Sequence, residues 1–314
     1  MSFDVYWRIP MSGDRSSWRN HPVRRGDWSP PIPGSLTPGT RDGIPDGLSY
    51  LEHIIEVARA TEAAGFVGGL LPSFPQTDDP WVAAAGAARA TTTYRFMVAF
   101  QPGFLHPVHA ARMSATFQRL SGGRLVFNVI SGGGGPAQRW WGDTTSHDDR
   151  YARTAEFLDV FRGVWDGGPF DHEGTFYSVE GGGLPPGLAG QPVPEIYFSG
   201  SSPAAIETVG RHADHYLSWL EHPDDLRAKF DQVRATSARL GRTARFSVRA
   251  HVIARPTEEE AWDEVRRGWD RVDPAVIRAR NAAATGDSVG AARQLAYQTT
   301  TINGYEDLIV APNI

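Results

Sequence analysis

The strongest constraint on this chain is an alternation. From Leu48 to Arg255, helix-like and strand-like segments follow one another with short links. Leu48 to Ala64 carries Leu51, Ile54, Ile55 and Ala58 at helical spacing and stops at Gly65, after which Phe66 to Pro72 reads as a strand. The same reading predicts helices over Asp79 to Ala90, Pro107 to Leu120, Arg150 to Trp165, Pro203 to Arg211 and Pro223 to Leu240. Strands are predicted over Phe3 to Ile9, Tyr94 to Phe100, Arg124 to Ile130, Glu195 to Ser199, His215 to Leu220 and Arg245 to Arg255, with Gly167 to Pro192 irregular. Strand and helix in regular alternation build parallel βαβ units. An eight-stranded (β/α) barrel in one domain, residues 1–314, is the natural closure; a doubly wound sheet is the competitor. Helices over Thr257 to Asp270 and Pro274 to Gln294 would finish the outer layer.

The strand from Arg245 places Ser247, Arg249, His251 and Ile253 on one face and Phe246, Val248, Ala250 and Val252 on the other. In a barrel the outside is covered by helices, so the charged face looks inward, toward the C-terminal mouth where barrel sites lie. Taken without that context, Arg249 and His251 read as a surface pair. Two further strand ends carry chemistry. Asn128 to Gly135 leaves a strand in a glycine run, which lets backbone approach a ligand. Phe198-Ser199-Gly200-Ser201-Ser202-Pro203 sets small hydroxyl residues before a helix N-terminus, which is either a phosphate cradle or ordinary N-capping.

Composition narrows the classes. The chain has no cysteine, which removes disulfides, thiolate metal sites and a cysteine nucleophile. Its net charge of −5 with mixed signs gives no basic patch for nucleic acid, so a small-molecule partner is expected. No secretory signal or membrane-length apolar run is evident, and a cytoplasmic enzyme is expected. His106 with His109, and His212 with His215, lack a third ligand at a convincing spacing, so no metal is expected. The passage 11–47 is long for a loop and holds Arg15, Arg19, Arg24, Arg25, Arg41, Trp18 and Trp28; it reads as either a surface loop or a lid over substrate.

Several stretches resemble one family in order along nearly the whole chain. They are Val5 to Pro10 with Gly13-Asp14, Pro107 through Arg119 into Ser121-Gly122-Gly123-Arg124, Phe127 to Gly132, His147 to Tyr151, Tyr197 to Ser202, Leu217-Ser218-Trp219 and the strand with Arg249 and His251. They resemble the bacterial luciferase-like flavin monooxygenases, and among these the two-component alkanesulfonate monooxygenases. The resemblance implies a (β/α)8 barrel holding FMN in its reduced form, FMNH2, supplied by an NAD(P)H-dependent flavin reductase. It also implies O2-dependent conversion of an organosulfonate to an aldehyde and sulfite by a homodimer or homotetramer. By the same resemblance Tyr151, Ser201 and Ser202 hold the FMN phosphate, and Asn128, Ser131 and Thr77 lie along the flavin. Trp7, Ser12 and Trp219 line the substrate pocket, and Arg249 and His251 are catalytic, as an anion clamp and a proton-handling group.

Thr77 stands where the sulfonate enzymes carry a cysteine, Ser12 where they carry a histidine, and both keep a hydrogen-bonding hydroxyl. The longer 11–47 loop points to a bulkier substrate, such as a sugar sulfonate. Leu308 to Ile314 falls where the family continues into a final helix, strand and helix, so the C-terminal end of the barrel is expected to be missing. The rival readings are an F420-dependent oxidoreductase, a sulfone monooxygenase and a non-catalytic flavin-binding barrel.

Overall fold

Every strand expected between Tyr6 and Arg249 forms, and all seven join one parallel sheet. The computed structural model describes residues 3–11, 49–73, 77–132, 135–250, 252–269, 289–297, 301–302 and 305–306. The helices and strands in chain order are β1 (Tyr6–Arg8), α1 (Tyr50–Ala63), β2 (Gly68–Leu71), α2 (Pro80–Ala88), β3 (Arg95–Phe100), α3 (Pro107–Ser121) and β4 (Leu125–Val129). There follow α4 (Gly135–Trp140), α5 (His147–Trp165), β5 (Phe170–Glu173), β6 (Ser178–Gly182), β7 (Glu195–Phe198), α6 (Pro203–His212), β8 (His215–Trp219) and α7 (Pro223–Arg239). The remainder is β9 (Arg245–Arg249), α8 (Glu258–Trp269), α9 (Val289–Tyr297), β10 (Thr301–Ile302) and β11 (Tyr305–Glu306). The sheet runs β1-β2-β3-β4-β7-β8-β9. That is barrel order through seven strands, with β1 and β9 as its edges; an eighth parallel strand is not among the described residues. Of the passage 11–47 only Met11 is described, and of the expected helix 274–294 only the part from Val289.

The helices start where local chemistry supplies a cap. Ser49 and Glu52 form a reciprocal capping box on α1, and Asp79 accepts from Trp81 and Val82 at the start of α2. Pro80, Pro107, Pro203 and Pro223 open four helices, at a position whose N–H has no intrahelical partner. α3 ends at Gly122 with φ of 71°, a left-handed cap that glycine adopts without Cβ strain.

The sheet's outer face and the helices enclose an aromatic core. Phe127 touches Phe100 at 4.8 Å, Trp81 at 5.6 Å and Phe161 at 5.7 Å between ring centroids. Each ring so buried contributes about 1.5–3 kcal/mol. The stretch 167–192, expected to be irregular, contains the antiparallel hairpin β5–β6. Its turn is held from a distance: the Glu156 carboxylate on α5 accepts from the N–H groups of Thr175, Phe176 and Tyr177 at 2.8–3.1 Å. No helix among the described residues is long and apolar enough to cross a membrane.

His212, at the end of α6, gives the fold an acid-sensitive point. Burial, reinforced by Arg162, Arg211 and Arg242, pushes its pKa down from 6.5 to about 3. Between those values the unfolded chain binds a proton that the folded chain does not, so stability falls as pH drops, by up to about 1.4 kcal/mol per unit. Glu62 acts in a lower window. Burial raises its pKa, but hydrogen bonds from Thr93, Tyr94 and Thr92 outweigh this and bring it from 4.5 to about 2. His212→Leu is therefore expected to flatten the pH dependence of the urea midpoint above about pH 4.5 and leave the lower limb intact.

Candidate functional site

The register of the sheet assigns each strand residue to the inside or outside of the curve. Tyr6 packs edge-on to Tyr197 at 5.8 Å, and with Leu70, Met97, Val126 and Leu217 these rings fill the interior. Cα partners across a parallel pair share a face, so Arg8 and Asn128 also face inward, as do Trp219 and Arg249. On the other face of β9, Phe246 stacks on Phe230 of α7 at 4.5 Å. At the N-terminal ends of the strands, Glu195 binds Arg95 at 2.6 Å and Arg245 at 2.7 Å, a polar floor below the aromatic plug. Above the plug, at the C-terminal ends, lies the mouth.

One side of the mouth is built by β4, α5, β7 and α6. Asn128 is buried, and its carbonyl oxygen has no hydrogen-bond partner. Ser131, just past β4, shares a hydrogen bond of 3.2 Å with Thr154 on α5. One turn earlier on α5, Tyr151 stacks on Phe198 of β7 at 6.2 Å. The chain leaves β7 through Gly200 and Ser201 to Ser202, whose hydroxyl caps α6 by accepting from the Ala205 N–H at 3.2 Å. Tyr216 donates to the Gly200 carbonyl at 2.9 Å and also bonds Ser201. Asn128, Ser131, Tyr151, Ser201 and Ser202 are thus brought together around neighbouring strand ends.

Gly200 makes that closeness possible. Its φ of 146° disfavours a side chain, and a Cβ there would lie 2.8 Å from the Tyr151 hydroxyl oxygen and against Ala205. Gly200→Ala is expected to displace the Ser201-Ser202 turn from Tyr151 and weaken binding of a phosphate-bearing ligand at least ~10-fold, with little change in helix content. Isothermal titration with FMN, beside circular dichroism, checks this.

The other side holds cations. Arg249 follows in register from Trp219, and burial, with the nearby Arg8 charge, pushes its pKa down from 12.5 to about 10. Arg8, exposed to solvent at the open edge of the sheet, is lowered as well, by partial desolvation of its guanidinium. Among the described residues no carboxylate pairs with either guanidinium. Thr77, beyond β2, donates to the Pro72 carbonyl at 3.4 Å. No group of three or more metal-ligating side chains occurs among the described residues.

Two placements differ from expectation or escape it. Trp7, expected in the pocket, lies on the outer face, edge-on to Phe66 at 5.7 Å. The strand's period of two requires this once Tyr6 faces inward. Arg8 faces the mouth instead, and the parity argument that selected Arg249 was the signal that could have found it. Ser12 and His251 lie outside the described residues.

The fold recurs in solved structures. A riboflavin lyase, RcaE, with modified FMN and riboflavin aligns at a TM-score of 0.69 and 21% identity, covering 89% of this chain and 68% of that one. EDTA monooxygenase EmoA from Chelativorans sp. BNC1 aligns at 0.68 and 23%, covering 90% and 68%. Long-chain alkane monooxygenase LadA aligns at 0.69 and 19%, covering 97% and 76%. The sequence model of the luciferase-like monooxygenases matches residues 33–310. With that match spanning most of the sequence and the barrel order of its strands, the chain belongs to the luciferase-like monooxygenase family.

Proposed function

We propose that this chain is the oxygenase of a two-component system, taking reduced FMN from a separate NAD(P)H-dependent flavin reductase and using O2 to desulfonate an organosulfonate. The observation that supports an anionic substrate is Arg249 facing the mouth beside Trp219, with no carboxylate paired to it among the described residues. A guanidinium offers a fixed fork of donors to sulfonate oxygens.

The residues present fit FMN on two counts. The partnerless Asn128 carbonyl suits an N–H-bearing edge of the reduced ring, and the turn at Gly200 leaves room only for backbone next to Tyr151. In this reading Tyr151, Ser201, Ser202 and the α6 N-terminus hold the phosphate, while Asn128, Ser131 and Thr77 flank the ring. When bound, reduced FMN supplies the two electrons that activate O2. Trp219 forms an apolar wall and Arg249 holds the sulfonate. His251 and Ser12, outside the described residues, are assigned proton handling and substrate contact. One atom of O2 enters the aldehyde carbonyl and the other leaves as water, while the C–S bond breaks to give hydrogensulfite. The arginines and tryptophans of the 11–47 passage favour a bulky or sugar sulfonate, and the working form is a homodimer or homotetramer.

The test is anaerobic titration with FMN, FMNH2 and reduced F420, followed by admission of O2 with a panel of sulfonates and sulfones. Preferential FMNH2 binding with sulfite formed only when a sulfonate is present is the expected result. Tighter F420 binding, turnover of sulfones alone, or flavin binding without any turnover would each replace the proposal by the corresponding rival.

A further inference from the structure

We infer that Arg8 and Arg249 form a two-armed oxyanion site that joins the two edge strands of the sheet, the anionic head of the substrate bridging them. The inference rests on the reading of the mouth as the substrate site and adds to it a second residue, on the opposite edge, that decides which ligands bind.

The geometry supplies the argument. Arg8 is the last residue of β1 and shares a face with Tyr6, whose ring meets Tyr197 inside the curve. Arg249 is the last residue of β9 and is in register with Trp219. Both side chains therefore enter the mouth at the same end of the sheet, from strands that are its two edges. The two are close enough for the Arg8 charge to lower the pKa of Arg249.

Several other arginines among the described residues have a carboxylate beside them, while Arg124 and Arg162 are held by neutral acceptors. Arg95 and Arg245 share Glu195, Arg153 binds Asp143 at 2.6 Å, and Arg242 binds Asp214 at 3.1 Å. Arg8 and Arg249 have no such carboxylate among the described residues. Two like charges held together without a counter-charge raise the energy of the free protein, and an anion between them relieves it. A tetrahedral head with three oxygens, such as a sulfonate, can accept from both forks at once. The phosphate cradle is a different place, at the N-terminus of α6.

The consequence is a double signature. In the free protein the Arg8–Arg249 repulsion works against bringing β1 and β9 together, so Arg8→Gln raises the melting temperature. In the same variant the climb with added propane-1-sulfonate falls to that in chloride, because ligand stabilisation follows the ratio of anion concentration to Kd. The general stabilisation by sulfate is common to both proteins and cancels in their difference. A substitution that merely damaged the fold would lower the first value.

The experiment uses the full chain without flavin or O2. Melting is followed with sodium sulfate and propane-1-sulfonate, against sodium chloride at matched ionic strength, and propane-1-sulfonate affinity is measured by titration calorimetry. Wild type, Arg8→Gln and Arg8→Lys are compared. Expected are a rise of melting temperature in the wild type beyond that in chloride, a propane-1-sulfonate Kd at least ~10-fold weaker in Arg8→Gln, and an intermediate value in Arg8→Lys, which keeps charge but loses the fork. A wild type that responds to sulfate and sulfonate no more than to chloride, or an Arg8→Gln variant with unchanged affinity, overturns the inference.

The desulfonation reading fails separately. If sulfite forms with an unchanged KM in Arg8→Gln, the two-armed site is wrong and the reaction stands. If sulfonate binds through Arg8 but no sulfite forms with reduced FMN, the site stands and the reaction is wrong.

Discussion

Lys229→Met is expected to cost the fold ~3–5 kcal/mol. Lys229 on α7 and Glu221, two residues past β8, form an ion pair whose side chains are only 3% and 1% exposed. The ammonium also donates to the Ser218 hydroxyl at 3.1 Å, and Arg293 of α9 reaches the second Glu221 oxygen at 3.3 Å. Burial lowers the pKa of Lys229 even though Glu221 opposes the shift, so desolvation outweighs the pairing. That sign makes a second prediction. Lys229→Met leaves the buried Glu221 carboxylate with Arg293 alone, and Glu221→Leu strands the buried ammonium. The two together remove both buried charges and leave Arg293, which is partly exposed, to solvent. The double variant should recover most of the loss, leaving a coupling energy of several kcal/mol in a urea-denaturation cycle. Equal and additive losses in the two single variants would show that the pair is not coupled. Because Glu221 lies two residues beyond Trp219, the single variants should also perturb tryptophan fluorescence at the mouth, linking outer-layer packing to the site.

What could be read in the sequence divides along the range of the forces involved. The seven parallel strands and the helices between them were legible because buried strands and amphipathic helices are written locally, as apolar periods punctuated by Ser, Asp, Gly and Pro caps. The β5–β6 hairpin was not, because its turn depends on Glu156, some twenty residues away on α5. The six-residue helix α4 was hidden for another reason: it follows the glycine run and is too short to show a period. The floor of Glu195, Arg95 and Arg245 joins three strands distant in sequence, and no spacing rule brings them together.

Within the site, the group around Tyr151, Ser201, Ser202, Asn128 and Ser131 was legible as strand ends and a helix start, and these residues do converge. Trp7 was assigned by resemblance, whereas the alternation of its own strand selects Tyr6 and Arg8. Three residues of strand are too few to show which face is apolar, and only the interior packing of Tyr6 against Tyr197 settles it.

Arg249→Gln is expected to lower kcat/KM for sulfite formation by ~10²–10³-fold while leaving FMN affinity within a few-fold of wild type. The separation follows from position, since the proposed phosphate site stands on the β7–α6 turn whereas Arg249 stands on β9. Arg249→Lys should not restore the rate. Burial and the Arg8 charge already pull the guanidinium down to about 10, where it is still a cation at neutral pH. A lysine begins about two units lower, at ~10.4, and the same surroundings would move it toward neutrality. The sign is therefore fixed. A pKa lowered by burial means that the cation, and with it anion binding, is lost as pH rises through that pKa. Wild-type kcat/KM should hold to near pH 10, and the lysine variant should lose activity at a distinctly lower pH, with the difference in KM rather than in kcat if the arginine only binds the sulfonate. Steady-state sulfite assays with reduced FMN at a fixed saturating level, across the alkaline range, read both quantities. A lysine variant with wild-type activity and the same alkaline limit would show that Arg249 acts as neither clamp nor buried cation.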